Sequence, residues 1–187
     1  MKNIITVMLL GAFSALHAQV IIGNGSGTVT PGNKGSVLLE FANDNNKGII
    51  VPYVRTLPTG SALVGGAIIL DATNATFARM KFYNGTAWVD LSGQDGNLVS
   101  PIDYLTAQPD AVTAPETLGS KTIIGAPSST ADGVLVLESD TKAMVLPIVA
   151  DVQNIPSPSP GMMVYVNKTG AKRLAVFNGS KWSFWKP

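Results

Sequence analysis

The sequence predicts an all-β protein made of two tandem copies of a small antiparallel β module, joined by a loop with a short helix. Short apolar runs alternate with turn residues along most of the chain, which is typical of strands and tight connections. The same order of runs occurs twice, so one structural unit accounts for both halves. The spacing fits a meander, a sandwich or a prism-like arrangement better than βαβ units.

Five segments of the first half return in the second half in the same order. The distance between matched residues is 102 at Gly23 and Gly125 and falls slowly to 94 at Trp88 and Trp182. Matches that keep their order with so little drift indicate a duplicated module. The matched pairs of segments are 20–23 with 122–125, 36–40 with 133–138, 48–52 with 143–147, 66–70 with 161–165, and 82–88 with 176–182.

Strands are predicted wherever an apolar run is rich in branched and aromatic residues. Two Asn-Gly pairs, Asn84-Gly85 and Asn178-Gly179, predict tight hairpins with type I′ turns, because Asn-Gly tolerates the positive φ angles that such turns need. The predicted strands are 37–41, 49–51, 67–70, 80–83 and 88–91 in the first half, and 134–137, 144–146, 162–165, 174–177 and 182–185 in the second.

The N-terminal residues 1–18 are predicted to be a signal peptide. Lys2 supplies the positive start, an apolar run covers residues 4–10, and Ala18 precedes a plausible cleavage point. The apolar run is too short for a stop-transfer helix. We therefore expect export to the cell surface, the extracellular space or the periplasm, with no membrane span after signal removal.

The remaining chain divides into β repeat 1 (19–91), a linker (92–117) and β repeat 2 (118–187). The linker differs in composition from the repeats, and its segment 100–108 is the best helix candidate. Ser100 can cap a helix and proline is favoured at the first helical position, so a short helix is predicted there.

Composition argues against several classes of function. Without residues 1–18 the chain keeps 12 Lys and Arg against 12 Asp and Glu, which gives no electrostatic reason to bind nucleic acid. The only histidine, His17, lies in the predicted signal peptide, and the chain has no cysteine. The usual general base, thiolate nucleophile and zinc ligands are therefore missing. We expect no catalytic residue, no cofactor and no metal site.

Each predicted copy has only roughly 70 residues and neither a disulfide nor a metal to stabilise it. Burial across a subunit interface can replace them. The chain is therefore expected to form a homo-oligomer or to dock on a larger surface protein.

The large aromatic residues are the candidate interaction surface. They can stack on sugar rings, fill a small core or contact another subunit. In segment 182–185 we expect both tryptophans on one face of the strand and Phe184 on the other, which suggests burial against a second molecule. The candidate residues are Tyr83, Trp88, Phe177, Trp182, Phe184 and Trp185.

The order of these motifs resembles a module of secreted Bacteroidota proteins, found in fibre-like, tail-fibre-like and surface-adhesin proteins. The resemblance covers nearly the whole chain after the signal, and the second copy carries it best. It implies an exported surface or fibre component, and it carries no catalytic residue. The resembling segments of the second copy are 134–138, 141–142, 145–147, 155–156, 161–167 and 177–182.

The favoured function is an exported, non-enzymatic structural or adhesion subunit of a cell-surface or fibre-like assembly. The alternative is a carbohydrate-binding module that uses the hairpin aromatics, with a glycan as partner. An enzyme is the least supported possibility, since only carboxylate or Ser/Lys chemistry would be open to it.

Overall fold

The protein is all-β, as predicted. The computed structural model describes residues 19–23, 27–42, 46–61, 63–106, 108, 112, 114–115, 117 and 119–185. These residues form fourteen strands in four sheets, and their only helical elements are the short 3₁₀ turns Pro31–Ser36 and Val152–Asn154. The predicted signal peptide, 1–18, lies outside the described residues.

The strands follow the predicted runs closely. Only the bounds of β2 and β14 agree at both ends, and most other predicted strands differ by one or two residues. Short strands at 20–22, 53–54, 122–124 and 148–149 were not predicted. The strands are β1 (Val20–Ile22), β2 (Val37–Phe41), β3 (Ile49–Ile50), β4 (Tyr53–Val54), β5 (Ile68–Asp71), β6 (Arg79–Tyr83), β7 (Trp88–Asp90), β8 (Thr122–Ile124), β9 (Leu135–Leu137), β10 (Ala143–Met144), β11 (Ile148–Val149), β12 (Met162–Val166), β13 (Arg173–Phe177) and β14 (Trp182–Trp185).

Two four-stranded arrangements have the same order and directions. In the first sheet, β4 runs parallel to β5, and β5, β6 and β7 are antiparallel neighbours. In the second sheet, β11, β12, β13 and β14 repeat this pattern. The register also agrees, since Tyr83 lies opposite Trp88 and Phe177 lies opposite Trp182. The tandem duplication itself stays a prediction.

The main core lies between these two sheets. Alternate residues of a strand share a face, and the inward ones of the first sheet include Leu70 and Met80, both fully buried. Met163 and Val176 of the second sheet pack into the same core. Burying such side chains contributes about 1.5–3 kcal/mol each relative to leaving them in water.

The outer face of the second sheet carries a second, smaller core. Val164, Val166 and Ala175 are buried there beside Ile155 and Phe177. The second sheet is thus covered on both faces, which explains why β12 is a continuous apolar run and not an alternating one.

A segment of the first half completes the second sheet. β3 pairs antiparallel with the start of β12, with Ile49 opposite Met163 and Ile50 opposite Met162. Just beyond β3, the Val51 N–H donates to the Gly161 carbonyl oxygen at 3.1 Å. The two halves of the chain are therefore joined by strand pairing as well as by a shared core.

Two small parallel sheets accompany the sandwich. β1 and β10 flank β2, and β8 pairs with β9. The side chain of Glu40 on β2 is fully buried, whereas the corresponding Glu138 follows β9 and is half-buried.

The helix predicted over 100–108 is wrong for the described part of that segment, residues 100–106 and 108, which forms bends and a turn. The Asp103 carboxylate accepts the backbone N–H groups of Leu105 and Thr106, at 2.9 and 3.0 Å. A short acidic side chain that binds the backbone locally competes with helix formation, and this segment accordingly forms a turn instead of a helix.

The predicted type I′ hairpin turns are also wrong in type. Among the described residues only Asn46, apart from glycines, has a positive φ, so Asn84 and Asn178 do not occupy the centre of such a turn. In each turn the glycine has a positive φ, +96° at Gly85 and +102° at Gly179, and the residue after it does not, which is the pattern of a type II′ turn with glycine first. Each asparagine precedes the turn, and its side-chain oxygen accepts the two backbone N–H groups that follow the glycine.

Candidate interaction surface

Four of the six candidate aromatic residues form two cross-strand pairs. The rings of Tyr83 and Trp88 are 5.4 Å apart and tilted by 53°, and those of Phe177 and Trp182 are 5.3 Å apart and tilted by 44°. Such pairs form because the residues lie directly opposite each other across a hairpin. Tilted aromatic contacts at this distance stabilise by about 0.5–1.5 kcal/mol beyond the area that they bury.

The two pairs lie on different faces of the molecule. Tyr83 alternates with the inward-facing Phe82 and therefore lies on the outer face of the first sheet. Phe177 is buried in the core on the outer face of the second sheet, and Trp182 packs against that core. Because the inner faces of the two sheets pack together, the aromatic pairs do not join into one surface.

The expected arrangement of β14 is wrong. Trp182 and Phe184 share the outer face and Trp185 lies on the inner face, because residues two apart lie on the same side of a strand. The Arg173 guanidinium lies over the Phe184 ring, 4.4 Å from its centroid. Apolar residues do lie on both faces, and Phe184 and Trp185 stay 42% and 46% exposed.

Trp185 closes one side of an apolar groove at the rim of the main core. Its indole N–H donates to the Leu91 carbonyl oxygen at 2.6 Å, which fixes the ring across the end of β7. The groove encloses about 310 Å³ and lies between the two sheets. It was not foreseen from the sequence, because its walls come from strands far apart in the chain. Its lining residues are Gly66, Ile68, Phe82, Leu91, Met163, Leu174 and Trp185.

The groove lies beside an unpaired edge of the first sheet. The Leu70 N–H of β5 donates to the Pro52 carbonyl oxygen at 2.9 Å, so this half of the β5 edge is covered by β4. No described strand pairs with the same edge at Ala67 and Ile68. In the second sheet the corresponding residues of β12 are covered by β3.

A buried carboxylate, that of Glu40 on β2, binds several groups around the N-terminal sheet, which consists of β1, β2 and β10. Glu40 accepts the backbone N–H groups of Thr28 and Val29, at 2.9 and 2.8 Å, together with the Gln19 amide and the Lys34 ammonium at 3.2 Å. Burial by itself would raise the pKa of Glu40, but these donors outweigh it and hold the pKa below its ordinary value. All four donors come from the chain itself, so this carboxylate is structural.

The described residues offer no metal site and no membrane span. No group of three or more acidic side chains in that part of the chain is placed to hold a metal ion. None of its helical elements has the length and apolarity that crossing a bilayer requires.

The comparisons with known proteins point to assembly. Residues 123–186 match the family model of a phage tail like trimerisation region. The match covers roughly a third of the 187 residues and includes four of the five strands of the second sheet, β11 to β14. Searches of the curated proteins and of the solved structures found no match.

This match supports a tail-fibre-like β module in the second half of the chain. It also supports the expected homo-oligomer and a fibre-like, structural type of subunit. Within the matched region lie β10, an edge strand of the N-terminal sheet, and Trp185, which lines the groove.

Proposed function

We propose that the protein is an exported, non-enzymatic structural subunit that trimerises to build a fibre-like assembly at the cell surface, where it serves adhesion. The observation that carries this proposal is the trimerisation-region match over residues 123–186. The exposed Phe184 and Trp185, at the end of that region, are apolar surface of the kind that subunit contacts bury.

The proposal includes a duplicated module. Corresponding residue pairs of the two sheets differ by 95 at the parallel strands, as in Tyr53–Leu70 and Ile148–Tyr165. The shared register supports descent of both sheets from one unit. A fibre built by repetition of one unit needs no catalytic centre, and each added copy lengthens it.

Export is proposed from the N-terminal segment 1–18, and the resemblance to secreted Bacteroidota modules supports it. N-terminal sequencing of the protein recovered from a culture would test this. A mature chain beginning at Gln19 is expected, whereas a cytoplasmic chain that retains Lys2 would contradict export.

The mass in solution tests trimerisation. Light scattering behind a sizing column should give about three times the chain mass, independent of loading over a tenfold range of concentration. The matched variants are Phe184→Ser and Val112→Ser, because both remove an exposed apolar side chain but only Phe184 lies in the matched region. The first should weaken the trimer and the second should not. A stable monomer at every concentration would overturn the proposal.

A further inference from the structure

We propose that the unpaired half of β5 is the docking edge for a second copy of this chain, whose segment at Met144 and Val145 adds as a strand beside Ala67 and Ile68. The inference deepens the proposed function, since it names the surfaces by which the subunits join. It rests on the trimer proposed above.

The second sheet shows what a completed edge looks like. Met162 and Met163 are covered by Ile50 and Ile49, from the other half of the chain. The pairing brings Gly48 so close to β12 that a Cβ there would lie 2.8 Å from the Met163 carbonyl oxygen. The start of β12 therefore needs a segment from elsewhere in the sequence to complete its hydrogen bonding, and β3 supplies that segment.

The first sheet offers the same edge with no occupant among the described residues. Ala67 and Ile68 correspond to Met162 and Met163 at the offset of 95 that relates the β4–β5 pair to the β11–β12 pair. The backbone groups of Ile68 point to the edge used by Leu70, because residues two apart in a strand point the same way. A Cβ on Gly66 would meet nothing within 4 Å, whereas one on Gly161 would lie 3.2 Å from the Val51 carbonyl oxygen.

In the segment that corresponds to β3, the matching backbone groups lie on an edge of β10 that no described strand covers. Ile49 and Ile50 correspond to Met144 and Val145 at the same offset. The Val145 N–H is engaged with the Leu39 carbonyl oxygen at 2.8 Å, so the backbone N–H of Met144 points to the opposite edge. In β3 the corresponding residue, Ile49, is the one that lies opposite Met163.

The groove is the place for the Met144 side chain. In the second sheet Ile49 packs against the main core beside Met163. A methionine placed opposite Ile68 on the same face would enter the apolar groove, and its flexible side chain suits an irregular cavity. The donor segment also lies inside the trimerisation-region match.

Donor and acceptor are different surfaces, so the contact is heterologous and closes into a ring when the rotation between subunits allows it. Three subunits, each giving its segment at Met144 and Val145 to the next, would leave no open half of β5 uncovered. This accounts for a trimer in which every subunit is both donor and acceptor.

Cysteine cross-linking tests the pairing on a chain that has no cysteine of its own. The double variant Ala67→Cys/Val145→Cys places two thiols at the positions that correspond to Met162 and Ile50, a directly opposed pair. Opposed residues of this type have Cα atoms about 4.5 Å apart, within the range of a disulfide. The matched control is Ile50→Cys/Met162→Cys, whose disulfide should form inside one chain.

On oxidation, we expect covalent trimers as the main product of the first variant and covalent monomers from the control. Co-expression of the two single variants, Ala67→Cys and Val145→Cys, should give covalent dimers that contain one chain of each. This excludes a link within one chain.

The outcomes separate the two proposals. A trimeric mass with no link between chains, or a link only within one chain, would overturn the docking edge and leave the trimer standing. A monomeric mass for the parent protein would overturn both.

Discussion

Replacing Glu40 by glutamine tests the role of the buried carboxylate. The glutamine oxygen can still accept the N–H groups of Thr28 and Val29, which both donate to one carboxylate oxygen. Its new NH₂ group takes the place of the other oxygen, which accepts from Gln19 and Lys34. Gln19 can rotate its own amide and accept from that NH₂ group, whereas the ammonium of Lys34 cannot accept.

The expected cost follows from this geometry. One hydrogen bond to a charged group is lost and a buried donor faces the Lys34 ammonium, so Glu40→Gln should lower the free energy of unfolding by about 1.5–3 kcal/mol. Glu138→Gln is the matched control, because the half-buried Glu138 accepts the Ser129 hydroxyl, which can rotate, and no other side-chain bond from the described residues. The control should cost less than about 1 kcal/mol.

The pH dependence gives a second readout. Because the folded-state pKa of Glu40 is lowered, its contribution is present above the ordinary value of 4.5 and is lost as the pH falls through the folded-state pKa. Urea unfolding at one protein concentration, from neutral to acid pH, should therefore show a weaker acid loss in Glu40→Gln. Equal stability of this variant and the parent protein at neutral pH, or an unchanged acid loss, would refute the reasoning.

Two further predictions concern the contact between the halves. Gly161→Ala should cost about 1–3 kcal/mol, because its φ is +77° and the new Cβ would press on the Val51 carbonyl oxygen, while Gly170→Ala, with open space around it, should cost only about 1 kcal/mol for its φ of +74°. Equal losses in chemical denaturation would contradict this. Tyr53→Phe should cost about 0.5–1.5 kcal/mol by removing the 2.7 Å bond to the Pro160 carbonyl oxygen. Burial, and then the nearby Tyr104, raise the pKa of Tyr53 to about 12, so the parent should lose stability between pH 10 and 12 and the variant should lose less; identical profiles would count against the buried hydroxyl.

The strands that the sequence predicted best are those with strong local signals. β2 and β14 are rich in branched or aromatic residues, and both hairpins are marked by Asn-Gly, although the turn type came out differently. In those turns the asparagine side chain accepts the backbone N–H groups that follow the glycine, which leaves glycine at the first central position. The Asn-Gly pairs therefore predicted where the hairpins lie, whereas the hydrogen bonds of the asparagine side chains decided the turn type.

The pairing of short strands could not be predicted in this way. The segments around Ile50 and Val145 have nearly the same pattern, yet β3 pairs antiparallel with β12 whereas β10 pairs parallel with β2. Strands of two residues carry almost no register information of their own, so distant partners decide their place. For the same reason the groove under Trp185 and the open edge at Ile68 were invisible in the sequence.

The pairing of β3 with β12 has a consequence for how the chain is made. Met162 follows Ile50 by 112 residues, so a growing chain presents β3 long before the ribosome has synthesised its partner. The N-terminal half therefore cannot finish folding during its own synthesis, and closure of this long loop places the protein among slowly folding topologies. Because β12 of a completed chain is already covered by its own β3, a waiting β3 can pair only with its own β12 or with that of another unfinished chain. Correct assembly consequently depends on how quickly each chain is finished relative to its encounters with other unfinished chains.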